Sequence, residues 1–476
     1  MMFNRIINWF QAWPDVLKFL GLIAVTVFAT YYVPGPVRMI WYVAMLAAYF
    51  FSRNEALWLA VFLATTDGFF SFFGVYAATL TVLPGLPAVE IAQIYIILTV
   101  IKAASRKVQP ELFYNKYLQI LFIYLLFNII WGQMMGLSGG LNVYFRMIKG
   151  FLPMLLFYSV PRLFGNQVMY DRFFRLVFVI ILFAFSAQLF TLFTGRSPLE
   201  AGGISLAGDQ EDEGEFRVFY SVGSALTGMF AALYSIGTRD SKANNLFLPY
   251  VVVFSALAMA FLSATRGWII GFALIILLVV IFTGVIRSGR SILVLAVTLL
   301  IVTWAFTNPT ISNQVSFARE RLEKIEAISE GDLTAGGTLM RLDYRSQRAM
   351  GGWKQNPIFG WGLSDKGYEY GDGHVGNQSL LATSGLVGYL LLNGFLAWFI
   401  YKIITVYSLA AGRLADRNRL LVFVFFLTGW FFIHSTSGQQ FNYVGMPANI
   451  IPQAVFFSFG AFQYQRTLKI INGKKV

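Results

Sequence analysis

The sequence has no cysteine and only two histidines, His374 and His434, in 476 residues. Without thiols there is no disulfide, no thiolate nucleophile and no cysteine-built metal site. Two histidines leave no multi-histidine metal centre either, so no metal and no other cofactor is expected. Charge is also scarce: Asp, Glu, Lys and Arg make up 12% of the chain, about half the ~25% usual in a soluble domain. No polar stretch is large enough to stand alone as a soluble domain. The first apolar run lacks a small-residue cleavage site and is followed by many more, so no removable signal peptide is expected.

What is present is apolar: 57% of residues are hydrophobic and 17% aromatic, with a mean hydropathy of +0.64. Runs of about 20 apolar residues, each able to cross a hydrocarbon core of about 30 Å as a helix, recur from end to end. About fourteen such runs stand out by hydropathy, near 16–33, 37–51, 56–74, 89–103, 117–134, 144–160, 174–194, 218–236, 246–263, 268–286, 292–307, 380–404, 420–433 and 450–462. Some are short. The pattern predicts an all-α polytopic membrane protein of about 12–14 transmembrane helices. Residues 1–476 then form a single integral membrane domain, with a large loop at 308–377 inserted between spans.

Orientation follows from the basic residues in short loops. Arg53, Arg106, Arg162, Arg172, Arg239, Arg287, Arg290, Arg413, Arg417, Arg419 and the tail lysines fall on one side if the spans alternate. That side reads as the cytoplasm, with both termini on it. The net charge of +13 then suits anionic headgroups, or a basic surface facing an anionic lipid-linked substrate; nucleic acid is not an expected partner. Outside fall the acidic loop 209–215, the tight turn at 265–267 and the loop 308–377. Within that loop, SFARERLEKIEAIS places Phe317, Leu322, Ile325 and Ile328 on one side of an amphipathic helix, lying on the membrane surface or over a cavity. Asp67, inside an apolar run, is either a functional group or one hydrogen-bonded to Thr65 or Thr66. The PGLP turn at Pro84 to Pro87, ahead of Glu90, is a re-entrant turn or a plain outer loop.

Residues 337–388 are the most polar stretch. They hold Arg341, Arg345, Arg348, Trp353, Pro357, several glycines and His374 in GDGHVGNQS. A segment this polar cannot face lipid, so it lies in water beside the bilayer. Histidine is the side chain best suited to take up a proton near neutral pH, which makes His374 the candidate base. Arg266 in LSATRGW, Arg217 in EGEFRVFYS, and Arg146 with Lys149 in YFRMIKG join it on the outer side. Fixed cations at one rim of a bundle repel one another unless an anion joins them. A diphosphate fits, because arginine offers planar, multi-donor contact to phosphate oxygens. Arg146, Lys149, Arg341, Arg345 and Arg348 are therefore candidate substrate-binding residues. His434 is either a core residue bonded to Ser435 or Thr436 or a further group lining the pocket.

One motif order carries a resemblance: Ser263, Thr265 and Arg266 in a short turn; Trp353, Pro357, Gly360 and Gly362 after an arginine-rich helix; then His374, Gly385 and Gly388. It resembles the O-antigen ligase and O-antigen polymerase superfamily, over about residues 217–388. The resemblance implies a catalytic set of Arg217, Arg266 and His374 in a metal-independent inverting glycosyltransferase. It also implies a donor glycan on undecaprenyl diphosphate, an acceptor glycan or glycolipid, surrounding membrane lipids, and a site on the periplasmic face of a bacterial inner membrane. The acceptor separates polymerase from ligase. Arg217 with Gly228 and Arg341 with Gly352 repeat a spacing seen in some polymerases, and the expectation leans that way; a ligase would instead pass the glycan to lipid A core sugar. The non-enzymatic alternative, a flippase or transporter lined by Asp67, Glu90 and the arginines, predicts charge through the membrane depth.

Overall fold

The structure, a computed structural model, describes residues 2–67, 78–80, 89–106, 110–139, 147–148, 150–202, 218–237, 247–284, 307–326, 338–410, 414–436, 438–443, 445 and 447–473. In chain order these form α1 (Met2–Tyr32), α2 (Gly35–Phe51), α3 (Glu55–Thr66), a two-residue ladder of β1 (Thr79–Leu80) with β2 (Val89–Glu90), α4 (Ile91–Ala104) and α5 (Asn115–Met134). Next come a 3₁₀ turn at Leu152–Leu155, α6 (Leu156–Leu163), α7 (Gln167–Thr194), α8 (Pro198–Ala201), α9 (Val222–Gly237), α10 (Phe247–Leu262) and α11 (Arg266–Thr283). The chain continues with α12 (Pro309–Glu326), α13 (Thr338–Gln355), α14 (Asp365–Tyr370), α15 (Gly376–Leu409), α16 (Leu414–Thr436) and α17 (Pro447–Ile471).

Six helical segments are long and apolar enough to cross a membrane: Pro14–Tyr32, Asn115–Met134, Gln167–Thr194, Arg266–Thr283, Gly376–Leu409 and Asp416–Thr436. Their outward faces carry unbroken apolar stripes at helical spacing, Ile123, Leu126 and Ile130 on α5 and Leu277 with Ile281 on α11, all solvent-exposed in the isolated chain. Water would not tolerate stripes of that length on element after element, whereas hydrocarbon does. The protein is an all-α polytopic membrane protein. The run expected at 144–160 is not one long helix: Pro153 lies in the 3₁₀ turn and Pro161 inside α6, and proline interrupts the amide ladder. The run expected at 292–307 lies almost wholly outside the described residues.

The helices cluster into two compact units. The first comprises residues 1–110, 149–259 and 445–462. In it α7 packs on α3 and α9, and α4 packs on α6. Rings from α7, α9 and α17 fill its centre: Phe230 meets Phe456 edge-on at 4.9 Å and Tyr234 meets Phe459 at 4.9 Å, pairs worth about 0.5–1.5 kcal/mol each beyond their buried area. At one edge Glu55, 2% exposed, accepts Lys102 at 2.8 Å and Arg106 at 3.4 Å. Lys102 also donates to the carbonyls of Tyr49 at 3.0 Å and Ser52 at 2.9 Å. The ammonium thus sits on the C-terminal end of α2 and the carboxylate in the first turn of α3, each where the helix dipole favours its sign.

Asp67 belongs to this unit and ends α3. It bonds neither Thr65 nor Thr66, whose hydroxyls turn back to carbonyls of their own helix. Its carboxylate accepts the amide of Ser224 at 2.7 Å and the Ser224 hydroxyl at 3.0 Å, capping α9 from a distant segment. A carboxylate over free amides at a helix N-terminus meets both their hydrogen-bonding need and the dipole.

The second unit comprises residues 111–148, 260–444 and 463–476. Here α11 packs on α16, α16 on α15, and α13 and α5 on α15. Glycines set the closest approach: Gly271 lies against Ile433, and Gly429 against Ile275. That register makes α11 and α16 antiparallel, and Asn418 donating to Thr283 O at 3.2 Å closes the far end.

Candidate functional site

The antiparallel register places two predicted residues at one end of the second unit. Arg266 is the first residue of α11, and His434 lies in the last turn of α16. Arg417 and Arg419 lie at the opposite end, in the first turns of α16. The turn before Arg266 is strained, since Ala264 has φ +49°, a left-handed conformation uncommon for a residue with a side chain. Ser263 and Thr265 share a hydroxyl hydrogen bond of 2.8 Å across it. The predicted amphipathic helix, α12, docks here: Gln314 is buried and donates to Leu262 O at 2.5 Å, and Ala318, one turn on, is fully buried.

The His374 loop meets the same end. Asn377, in the first turn of α15, donates to Ser435 Oγ at 2.8 Å, and the backbone of Gly376 lies against the His434 ring and carbonyl. Gln439 N donates to Gly373 O at 2.7 Å. His434 does not pair with Ser435 or Thr436, whose hydroxyls bond back into α16. Its Nδ1 accepts the amides of Gln440 at 3.0 Å and Phe441 at 3.2 Å, and the residue is 1% exposed. A ring nitrogen that accepts two amides carries no proton, so the hydrogen sits on Nε2. His434 folds the loop that supports its neighbour.

From the other side comes α13. Its Ala349 packs with Val375, the residue after His374, and with Ala382 and Tyr370 in a small core. Arg345 and Arg348, three apart on this helix, reach the same carboxylate: Arg345 Nη1 donates to Asp372 Oδ1 at 3.3 Å and Arg348 Nη2 to Oδ2 at 2.9 Å. Both guanidinium side chains remain about one third exposed, at 32% and 35%. Asp372 Oδ1 also accepts the His374 amide at 2.9 Å, a side-chain turn of the kind Asp favours before glycine. Among the described residues the exposed His374 imidazole has no hydrogen-bond partner. The exposed His374 imidazole thus follows, two residues on, a carboxylate that holds two partly exposed arginine side chains.

The tryptophan, proline and glycine motif has a structural job here. At Gly385 (φ +62°, ψ −172°) the helix α15 breaks, leaving backbone groups without helical partners. Segment 357–363 supplies them. Leu386 N and Val387 N donate to Pro357 O and Ile358 O at 2.9 and 3.1 Å, while Trp361 N and Gly362 N donate to Ala382 O and Thr383 O at 2.9 and 2.7 Å. Tyr124 Oη, from α5, covers Ser384 O at 2.6 Å. Gly360 and Gly362 hold left-handed angles, and a Cβ on either would collide with backbone of α15 or α5. The predicted span at 380–404 is therefore two pieces, a short helix before Gly385 and a longer one after it.

Of the predicted site residues, the structure brings Arg345, Arg348, His374 and His434 into one hydrogen-bonded neighbourhood, with Arg266 starting its helix at the same end of the unit. Arg217, Arg146 and Lys149 lie outside the described residues, as does the Arg341 side chain, although its backbone is in α13. Sequence reasoning missed Asp372, which joins Arg345, Arg348 and the His374 amide; the Asp-Gly-His tripeptide was the available signal.

Fold and site together define a multi-pass helical membrane protein with a charged, partly exposed cluster at one end of a helical unit. No protein-family model matches the chain, and no curated protein matches it. Among solved structures it is similar to one chain of a structure described as "Structural coordination of polymerization and crosslinking by a peptidoglycan synthase complex", with 14% identity and a TM-score of 0.42, covering 75% of this chain and 99% of that one. A likeness of that size carries no inference about chemistry.

Proposed function

We propose that the protein is a membrane glycosyltransferase of the O-antigen polymerase and ligase kind, working on polyprenyl-diphosphate-linked glycans. The observation that carries this reading is that Asp372 joins two partly exposed arginines to the backbone amide of His374, whose exposed imidazole has no hydrogen-bond partner among the described residues. Arg345 and Arg348, with Arg266 and Arg217, hold the diphosphate of an undecaprenyl-linked donor and offset the charge that grows on it as the sugar leaves. The acceptor hydroxyl oxygen attacks the anomeric carbon as the bond to the diphosphate oxygen breaks. His374 takes the hydroxyl proton, the sugar inverts, and polyprenyl diphosphate departs. The site then lies on the periplasmic face of a bacterial inner membrane, with both termini in the cytoplasm.

Purified protein in detergent, given a lipid-diphosphate donor and separate acceptors, tests this on a gel. A ladder of lipid-linked repeats is expected and defines a polymerase. A single shift of lipid A core would define a ligase, and no product with any acceptor would remove the enzymatic reading in favour of transport.

A further inference from the structure

We propose that Asp372 is a positioning residue for His374, fixing the histidine loop to the arginine helix; the proposal deepens the glycosyl-transfer reading and rests on it for the reaction served. Three donors from two separate segments converge on this one carboxylate. Arg345 and the His374 amide share Oδ1, and Arg348 takes Oδ2. The backbone of Asp372 is itself fixed at both polar groups by one hydroxyl: its amide donates to Ser379 Oγ at 2.7 Å, and Ser379 Oγ donates to its carbonyl at 2.6 Å. The side chain is only 10% exposed, whereas the histidine it serves faces solvent.

Neutralising two arginines does not require this arrangement. A flexible surface acid would do that, with no bond to the next-but-one amide and no clamp on its own backbone. The arrangement does determine where residue 374 sits relative to Arg345 and Arg348. An aspartate suits it: two oxygens with about four lone-pair sites accept all three donors. Asparagine would turn an NH₂ toward a guanidinium, donor against donor. Glutamate, one methylene longer, would lift its oxygen away from the His374 amide.

The test uses full-length protein with Asp372→Ala, Asp372→Asn and His374→Ala. In Asp372→Ala, kcat for transfer should fall about a hundredfold, the cost of a reacting group misplaced by roughly 1 Å, while the KM for donor stays within about threefold. Asp372→Asn, which keeps one acceptor oxygen, should fall between it and wild type. The double variant should be no slower than His374→Ala alone, because the two residues act as one unit. A second readout needs no glycosyl transfer. His434 is buried, so diethyl pyrocarbonate reports on His374 alone, with His374→Ala as the blank. Asp372→Ala should change that modification rate at least about threefold while thermal unfolding in detergent stays near wild type, since a partly exposed pair adds little stability. An unchanged modification rate, or a loss of kcat that follows unfolding, overturns the positioning role. Absence of transfer by wild type, with the modification rate still shifted, overturns the glycosyl-transfer reading alone.

Discussion

Two carboxylates in this protein each gather two cations, and they are used differently. Glu55 holds Lys102 at 2.8 Å and Arg106 at 3.4 Å; Asp372 holds Arg348 at 2.9 Å and Arg345 at 3.3 Å. Around Glu55 the lysine is also bonded to the carbonyls of Tyr49 and Ser52 and lies 4.1 Å from the Tyr49 ring. That leaves it no donor for any ligand, and its charge is consumed by joining three helix ends. Around Asp372, Arg348 also donates to Gly371 O at 3.4 Å, both arginine side chains remain about one third exposed, and an exposed imidazole follows two residues later. The Glu55 cluster ties helix ends together around a buried carboxylate, whereas the Asp372 cluster ties a helix to a loop that carries an exposed histidine.

The comparison can be broken or sharpened by four substitutions. The largest effect is expected from His374→Ala: transfer should drop about a thousandfold, within the range of a lost general base, with donor binding by isothermal titration unchanged. Lys102→Met comes next. It leaves a buried carboxylate held only by the 45% exposed Arg106, which costs up to about 3–5 kcal/mol and should appear as a large fall in the thermal midpoint, with full specific activity in the fraction that remains folded. Arg348→Ala should lower transfer by about a hundredfold, as for one removed donor to a developing anion, and change the midpoint little. If Arg348→Ala instead unfolds the protein while Lys102→Met does not, the assignment of the two clusters is reversed. Smallest is Arg106→Ala, the 45% exposed arm of the Glu55 cluster. It should shift stability by under about 1 kcal/mol and leave turnover alone.

How much was legible in the sequence follows the range of the interactions. Membrane class and helix content were readable because a run of about 20 apolar residues announces itself locally. His374 stood out by rarity, and the arginines of α13 by their setting in a polar loop. The partner of Asp67 was not readable, because Ser224 is 157 residues away. Nor was the partner of His434, whose nearest hydroxyls, Ser435 and Thr436, turned back into their own helix while amides from a following loop took the ring. Asp372 was hidden for a related reason. Its short-range bond to the His374 amide could be read from Asp-Gly-His, but its meaning comes from Arg345 and Arg348, brought in by α13. The order Trp353, Pro357, Gly360, Gly362 was visible as a motif, yet its role depends on a break at Gly385 that apolar composition does not reveal.

The segment that fills that break has a consequence for protein engineering. Because the amides and carbonyls of residues 357–363 complete the interrupted backbone of α15, the polar loop before α15 and the membrane helix cannot be exchanged as separate parts. A chimera that imports a foreign loop over 338–375 would bring its own bonding pattern to an opening shaped for Trp361 and Gly362. It should misfold unless residues 124–132 of α5 and 380–388 of α15 travel with it. Loop swaps are therefore best confined to α12 and the first turns of α13, upstream of the joint.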